Sequence, residues 1–290
     1  MSLYQNMLRK GWNALKKVFT GIFTALFLTM TASPAYAADM QIKVEGVAVA
    51  PDVKPEIKNN RMMVPLRVIS ENLGANVKWS GSKITITKSD MQVILNLKSN
   101  AVVKNGKTMQ LDVKPYLNNN RILVPLRFIA ETFNCSIDFK NSIVSVEPSP
   151  FVLNGVKVKA LQHEVYFSMG SIVTQINGST YNEEIYNVFL DNKGSKAVAP
   201  SKYTTSIHEL TSGAYYKRGQ FDFVDKTGKS IQQFDLYTLS HSDGDPDVRL
   251  YDATENQWYL FPHSAVQSIY QFMDTASQNG FLTTISDTNP

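Results

Sequence analysis

Two arginines stand in the same setting 60 residues apart. Arg67 and Arg127 each follow Val-Pro-Leu, and each precedes a glutamate, Glu71 or Glu131, by four positions. A guanidinium offers five donors in a planar fork, so either could grip an anion or a glycan. The spacing also puts each glutamate one helical turn on, where it forms a salt link, and that is the preferred reading of the pair. A second candidate surface is aromatic. Tyr215, Tyr216, Trp258 and Tyr259 could stack on sugar rings, although aromatics on strands also fill sheet cores.

Other chemistry is thin. The histidines, His163, His208, His241 and His263, include no pair spaced for metal binding and no evident nucleophile partner. They read as surface or hydrogen-bonded residues. The stretch 243–247, Asp-Gly-Asp-Pro-Asp, resembles the start of a calcium loop. It has Val248 where the loop needs glycine and Thr254 where it needs glutamate, so it reads as a solvated acidic turn. Adjacent Glu183 and Glu184 point different ways in any regular element and read as a surface loop. Cys135, the single cysteine, reads as a small core residue, which excludes a disulfide framework. Motifs for serine hydrolases, phosphate loops, dinucleotides and zinc peptidases are absent from the sequence. No catalytic residue, cofactor site or metal site is assigned.

The 290 residues are 43% hydrophobic and 19% charged. This is a globular composition, which excludes a disordered chain, a collagen and a multi-pass membrane protein. The net charge of +4 hints at nucleic acid. Four of the basic residues, however, lie in 1–37, and the remaining 25 balance 25 acids. Residues 18–32 are apolar and uncharged, and Ala35-Tyr36-Ala37 follows as a small-residue cleavage pattern. Residues 1–37 therefore read as a signal peptide cut between Ala37 and Ala38. An uncleaved anchor is the rival, although 15 residues are short for a span of about 20. The expected location is secreted, with wall association open and no stable membrane span after cleavage.

An internal repeat organises the next segment. Residues 53–75 and 113–135 are identical at 12 of 23 positions, and such an offset marks a repeated supersecondary unit. Asn59-Asn60 and Asn119-Asn120 can close hairpins. Residues 62–64 and 122–124 read as strands, and Pro65 and Pro125 as helix openers. Leu66, Ile69 and Leu73 have helical spacing, repeated by Leu126, Ile129 and Phe133. Gly74 and Asn134 suit the left-handed helix end. Strands are expected at 75–80, 83–88, 135–140 and 142–147, with 92–97 and 101–103 between the units. One copy has too little core to stand alone, so both should share one sheet-and-helix core.

The motif Asn-Asn-Arg-x-x-Val-Pro-Leu-Arg-x-Ile-x-Glu, carried by Arg61, Pro65, Arg67 and Glu71 and again by Arg121, Pro125, Arg127 and Glu131, resembles the copper amine oxidase N-terminal-like (stalk) domain. That domain recurs in secreted proteins of Gram-positive bacteria. The resemblance spans about 41–148 and implies an antiparallel sheet with short helices, built as a non-catalytic accessory module. Copper and quinone are not inherited. No Asn-Tyr dipeptide and no His-x-His pair exists here.

Residues 147–150, Glu-Pro-Ser-Pro, mark a boundary. Residues 38–150 hold 15 basic and 10 acidic side chains, and 151–290 the reverse, so the two parts could attract. The second part reads as a hairpin-rich α+β domain. Asn154-Gly155 and Asn177-Gly178 are its turns, and 187–190 is a strand. A C-terminal helix is capped by Ser264 and stopped by Gly280, before a frayed tail from Ser286. The chain as a whole reads as α+β: two ~60-residue repeats in an antiparallel sheet, then this second domain. The functional expectation is an exported, non-catalytic envelope protein whose partner is a cell-wall polymer or envelope protein, and not nucleic acid. Two alternatives remain: a glycan binder using the C-terminal aromatics, and a hydrolase with an unfamiliar site in 151–290.

Overall fold

Residue types set the turns. Asn59, Asn60, Asn119 and Asn120 all have positive φ, which asparagine tolerates better than most residues. Each pair closes a hairpin, Glu56–Lys58 with Arg61–Pro65 and Tyr116–Asn118 with Arg121–Pro125. A short helix follows each, α1 at Leu66–Asn72 and α2 at Leu126–Phe133. Pro65 and Pro125 do not open these helices from inside. They end the strands and occupy the N-cap position in extended conformation, where a missing N–H costs nothing.

The computed structural model describes residues 40–50, 53–206, 208, 211–239 and 247–288. The expected signal peptide with Ala37 and Ala38, His241, and residues 243–246 of the acidic turn lie outside the described residues. Residues 40–290 form one compact unit. Among the described residues the fold is mostly antiparallel sheet with four helices, and no helix is long and apolar enough to cross a membrane.

The two central hairpins join edge to edge. Strand Arg61–Pro65 pairs antiparallel with Arg121–Pro125, with Val64 opposite Val124, Met63 opposite Pro125 and Pro65 opposite Leu123. Positions 60 apart therefore exchange places about a local two-fold. A small cluster of Val53, Met63, Val113 and Leu123 sits beside this axis. Strands Asn76–Ser80 and Lys83–Lys88 continue into Met91–Asn96, Ala101–Lys104 and Lys107–Gln110 as a five-stranded sheet. Strands Cys135–Lys140 and Ile143–Pro148 are completed by Gln41–Val44 and Val47–Val49, with Ile143–Pro148 parallel to Gln41–Val44.

The second part opens with a small hairpin, Val152–Leu153 with Val156–Lys157, and continues as one long sheet, to which Tyr203–Thr204 adds beside Tyr215–Val224. Its order is Lys196–Ala197, Gln257–Phe261, Val248–Asp252, Ser230–Leu239, Tyr215–Val224, Ala160–Tyr166, Ser171–Ile176, Leu282–Asp287. Helices α3, Ser179–Asp191, and α4, His263–Gln278, cover one face. Phe189 of α3 stacks on Phe234 at 4.5 Å and on Phe261 at 5.8 Å.

Several sequence expectations fail here. Asn177-Gly178 is not a hairpin turn: Gly178 has φ −84 and caps α3. Residues 187–190 are helical, not a strand, because Tyr181, Ile185 and Phe189 fall at i, i+4 and i+8 and bury together. Glu183 and Glu184 lie on this helix rather than in a loop. Ser264 is not the cap of α4, which begins at His263 after Pro262. Ser286 and Asp287, expected in a frayed tail, are paired instead, since Leu282–Asp287 lies against Ser171–Ile176 as the sheet edge.

The apolar core runs on past residues 149–150. Leu66, Ile69, Leu126 and Ile129 belong to the same cluster as Tyr181, Ile185, Phe221 and Leu250. Most of this seam is packing and directed hydrogen bonds. Tyr181 is fully buried and its hydroxyl donates to the Glu71 carbonyl at 3.1 Å. A carboxylate oxygen of Glu45 accepts from the Ser179 N–H at 2.8 Å, capping α3 where Gly178 has no side chain to do so. Among the described ion pairs, only Lys88 with Glu184, at 3.9 Å, joins the two oppositely charged parts.

The two helix ends differ. Gly74 has φ +76, and a Cβ there would lie 2.6 Å from Thr180 Cγ2, so both backbone and neighbour demand glycine. Asn134, at φ 52 and ψ 45, faces outward and donates to Ser149 Oγ at 3.0 Å. Asn134→Gly should be neutral to within about 0.5 kcal/mol, its eased backbone offsetting one exposed hydrogen bond. Asn134→Val should cost about 1–3 kcal/mol, because a β-branched residue is strained there. Urea titration of the two variants against wild type measures both, and a Val variant as stable as wild type would refute the strain.

Candidate functional site

Each central hairpin tip reaches over the helix of the other repeat. Arg121 at one tip faces Arg67 at the start of α1, across a groove of about 510 Å³ that also includes Asn120, Ile122, Glu71 and Trp79. Arg61 at the other tip faces Arg127 at the start of α2, across a groove of about 430 Å³ with Asn60, Met62, Ala130 and Ile137. Seven lining positions of each correspond at an offset of 60, the four arginines among them, while Ala50, Val68, Glu71 and Trp79 line only the first groove and Ala130 only the second. Either groove exists only because strand Arg61–Pro65 pairs with Arg121–Pro125.

The tips are held in similar ways. Arg61 donates from Nε to Asp112 at 2.8 Å and from Nη1 to the Asn60 carbonyl at 3.2 Å. Arg121 donates from Nη1 to the Asn120 carbonyl at 3.4 Å. The helix arginines are looser. Arg67 approaches Glu71 only to 3.9 Å, both side chains being exposed. The matching salt link of Arg127 to Glu131 is not formed, and Arg127 has no ion pair or hydrogen bond among the described residues. The sequence preference for a helical salt link therefore describes one arginine weakly and the other not at all. Burial raises the Glu71 carboxyl above its ordinary range, while Arg67 pulls it back. Beside the first groove, Trp79 is 43% exposed and pinned by its indole N–H to the Gly81 carbonyl at 2.7 Å. Phe139, 60 residues on, is 57% exposed.

The four C-terminal aromatics do not come together. Trp258 and Tyr215 lie on the sheet face away from the helices, and Tyr216 and Tyr259 on the helix face. Trp258 is buried against Tyr237 at 4.8 Å, Tyr251 at 5.0 Å and Tyr203 at 5.3 Å. The Tyr259 hydroxyl is bonded to Glu255 at 2.5 Å, with Lys193 Nζ 4.5 Å above its ring. Tyr215 donates to Asp247 at 2.7 Å and Tyr216 to the Tyr166 carbonyl at 2.7 Å. These are core and strand-edge contacts.

The sequence missed a polar row on the outer face. Trp258, Tyr251, Asp235, Gln220 and Glu164 sit directly opposite one another across five strands. Within the row Asp235 pairs with Lys217 at 2.9 Å, both nearly fully buried, and Lys217 also donates to Gln220 at 2.9 Å. The signal was present as charges alternating with Phe221, Phe223 and Phe234. The buried Lys217 ammonium meets both Asp235 and Gln220, as a buried charge requires, so the row reads as structural.

His163 is neither a surface residue nor a hydrogen-bonded one. It is buried, its Nε2 has no partner, and it stacks on Phe221 at 4.4 Å beside Tyr270 at 5.8 Å. Burial lowers its pKa to about 4. A cleft of about 550 Å³ between α4 and the sheet has Arg218, His263 and Asp274 in its lining, and no ion pair joins them among the described residues. No group of three or more metal-ligating side chains occurs among the described residues. Cys135 is half-buried, which pushes its thiol up to about 11 and leaves it a poor nucleophile at neutral pH.

No curated protein and no solved structure matches the chain. A family model does: residues 43–147 match the copper amine oxidase N-terminal domain, and since that domain alone is matched, no amine oxidase activity is indicated.

Proposed function

We propose that this chain is an exported, non-catalytic binding protein of the bacterial cell envelope. Residues 43–147, two copies of one folding unit, act as its spacer or wall-contact module. The observation that carries the reading is the duplicated groove with its arginines, in a segment that matches an accessory domain rather than a catalytic one. The excess of basic over acidic residues in 38–150, 15 against 10, supports contact with an anionic surface. The placement of Tyr215 and Trp258 on one sheet face and Tyr216 and Tyr259 on the other, with Trp258 and Tyr259 buried, speaks against a sugar platform on the C-terminal sheet. The test is sedimentation of the full chain with purified Gram-positive cell wall. The chain should pellet with the wall at low ionic strength and be released by added salt. A chain that stays in the supernatant throughout removes the reading.

A further inference from the structure

We propose that the two arginine grooves bind an acidic polysaccharide, a chain of sugar rings bearing carboxylates, with one stretch of polymer in each groove. The proposal rests on the wall-contact reading above and names its ligand class.

Three features converge. Each groove pairs an arginine on a hairpin tip with one at a helix start. Arg61 is aimed by Asp112 and its own turn carbonyl, while Arg127 has no internal partner among the described residues. An aimed guanidinium beside an uncommitted one suits a carboxylate, which accepts a planar fork.

Each repeat also exposes apolar surface at matching places. Trp79 lines the first groove as a ring already pinned by a hydrogen bond. Phe139 is its exposed counterpart at the offset of 60. Exposed Leu117 lies opposite Ile122, a lining residue of the first groove, and exposed Ile57 lies opposite Met62 of the second. Large apolar side chains exposed twice at equivalent positions mark a contact surface rather than scatter. Flat apolar rims beside cations fit a polymer whose repeating unit is a ring with one charge.

Acids narrow the choice further. Glu71 lines the first groove, and Asp112 holds Arg61 at the second. A polyphosphate, with dense charge, would meet both; a polymer with one carboxylate per ring can place its charges between them. In the groove of Arg61 and Arg127 the helix arginine has no ion pair among the described residues, whereas Arg67 of the other stands 3.9 Å from Glu71, so the groove of Arg61 and Arg127 should be the tighter of the two. Two grooves on one rigid strand pair also favour a long polymer over a short one, through effective concentration.

The probes are polygalacturonate, neutral dextran and polyglutamate, titrated onto the full chain by calorimetry. Polygalacturonate should bind, more weakly as salt is added, and long chains should bind more tightly than short oligomers. Dextran and polyglutamate should bind at least roughly tenfold more weakly. The Arg61→Gln/Arg127→Gln double variant should lose roughly tenfold or more, the effect of removing charge-assisted contacts. The Arg67→Gln/Arg121→Gln variant should lose less, and Trp79→Ala should weaken binding of polygalacturonate but not of polyglutamate. If a double variant melts below wild type, Arg127→Gln alone serves, since that side chain has no internal partner to lose. Equal binding of dextran or polyglutamate, or unchanged affinity in the arginine variants, overturns the proposal. Run beside cell-wall sedimentation, the outcomes separate. Wall binding that ignores the arginines overturns the grooves and keeps the envelope reading; no wall binding at all removes both.

Discussion

Leu66→Ala should destabilise the protein by about 2–5 kcal/mol, the usual range for emptying a buried leucine site. Leu66 is fully buried at the start of α1 and Leu126, at the matching place on α2, is 6% exposed. Both belong to one apolar cluster that extends through Tyr181 and Ile185 of α3 to Phe221 and Leu250 of the long sheet. Leu126→Ala should therefore cost a similar amount, toward the lower end because the site already touches solvent. The loss should not stay local. Since one core serves α1, α2 and α3, each variant should lower the unfolding midpoint of the full chain in a single transition, with near-unchanged denaturant slope. Urea melts followed by circular dichroism, and by tryptophan fluorescence in chains where phenylalanine leaves only Trp79 or only Trp258 of the three tryptophans, test this, because the two report from different parts. If the Trp79 signal moves while the Trp258 signal holds, the shared core is refuted.

The second large effect is a dependence on acid. His163 is held neutral by burial, with its pKa lowered from 6.5 to about 4. Above pH 6.5 it is neutral folded or unfolded and contributes no pH dependence. Below that, the unfolded chain takes up the proton first, so the stability from keeping His163 neutral is lost as pH falls toward 4. At about 1.4 kcal/mol per pH unit, the loss between pH 7 and pH 4 is about 3 kcal/mol.

The carboxyls facing the seam act the other way. Glu45, Glu71 and Glu184 are all raised by burial. Their contribution is favoured below the unfolded carboxylate pKa and lost as pH rises through the raised values. Wild type should thus show a muted change on acidification, two opposing trends partly cancelling. His163→Leu removes one trend, so its stability relative to wild type should grow by about 3 kcal/mol from pH 7 to pH 4. The comparison is a pair of urea titrations at the two pH values, and a constant difference would show that His163 does not titrate as its burial implies.

Several features were legible in the residues. Asn59, Asn60, Asn119 and Asn120 announce hairpins because few side chains accept positive φ, and the backbone at all four obeys. Gly74 and Asn134 mark the helix ends for the same steric reason. The Val-Pro-Leu-Arg segments carried a family resemblance that the match over 43–147 bears out. Legibility fell after residue 150. Asn177-Gly178 looked like a turn, yet Gly178 is extended and caps α3, because a Cβ there would crowd Phe281, Glu45 and Tyr181. Its glycine is a matter of packing, which the dipeptide does not reveal. Residues 187–190 looked like a strand in a short window, whereas the spacing of Tyr181, Ile185 and Phe189 over a longer one is helical.

Local sterics and periodicity thus determined the turns, the helix ends and most strands of residues 53–148, because each depends on a residue and its near neighbours. Tertiary structure alone decided the rest. Arg61 meets Arg127, and Arg121 meets Arg67, only through the antiparallel register of Val64 on Val124. That register is a choice among pairings of similar strands and has no local signature. The burial of His163 depends on Phe221 from one strand and Tyr270 from a distant helix. Trp258 and Tyr259 part company because adjacent strand residues point to opposite faces, and which face α3 and α4 cover is settled by packing between segments far apart in the chain.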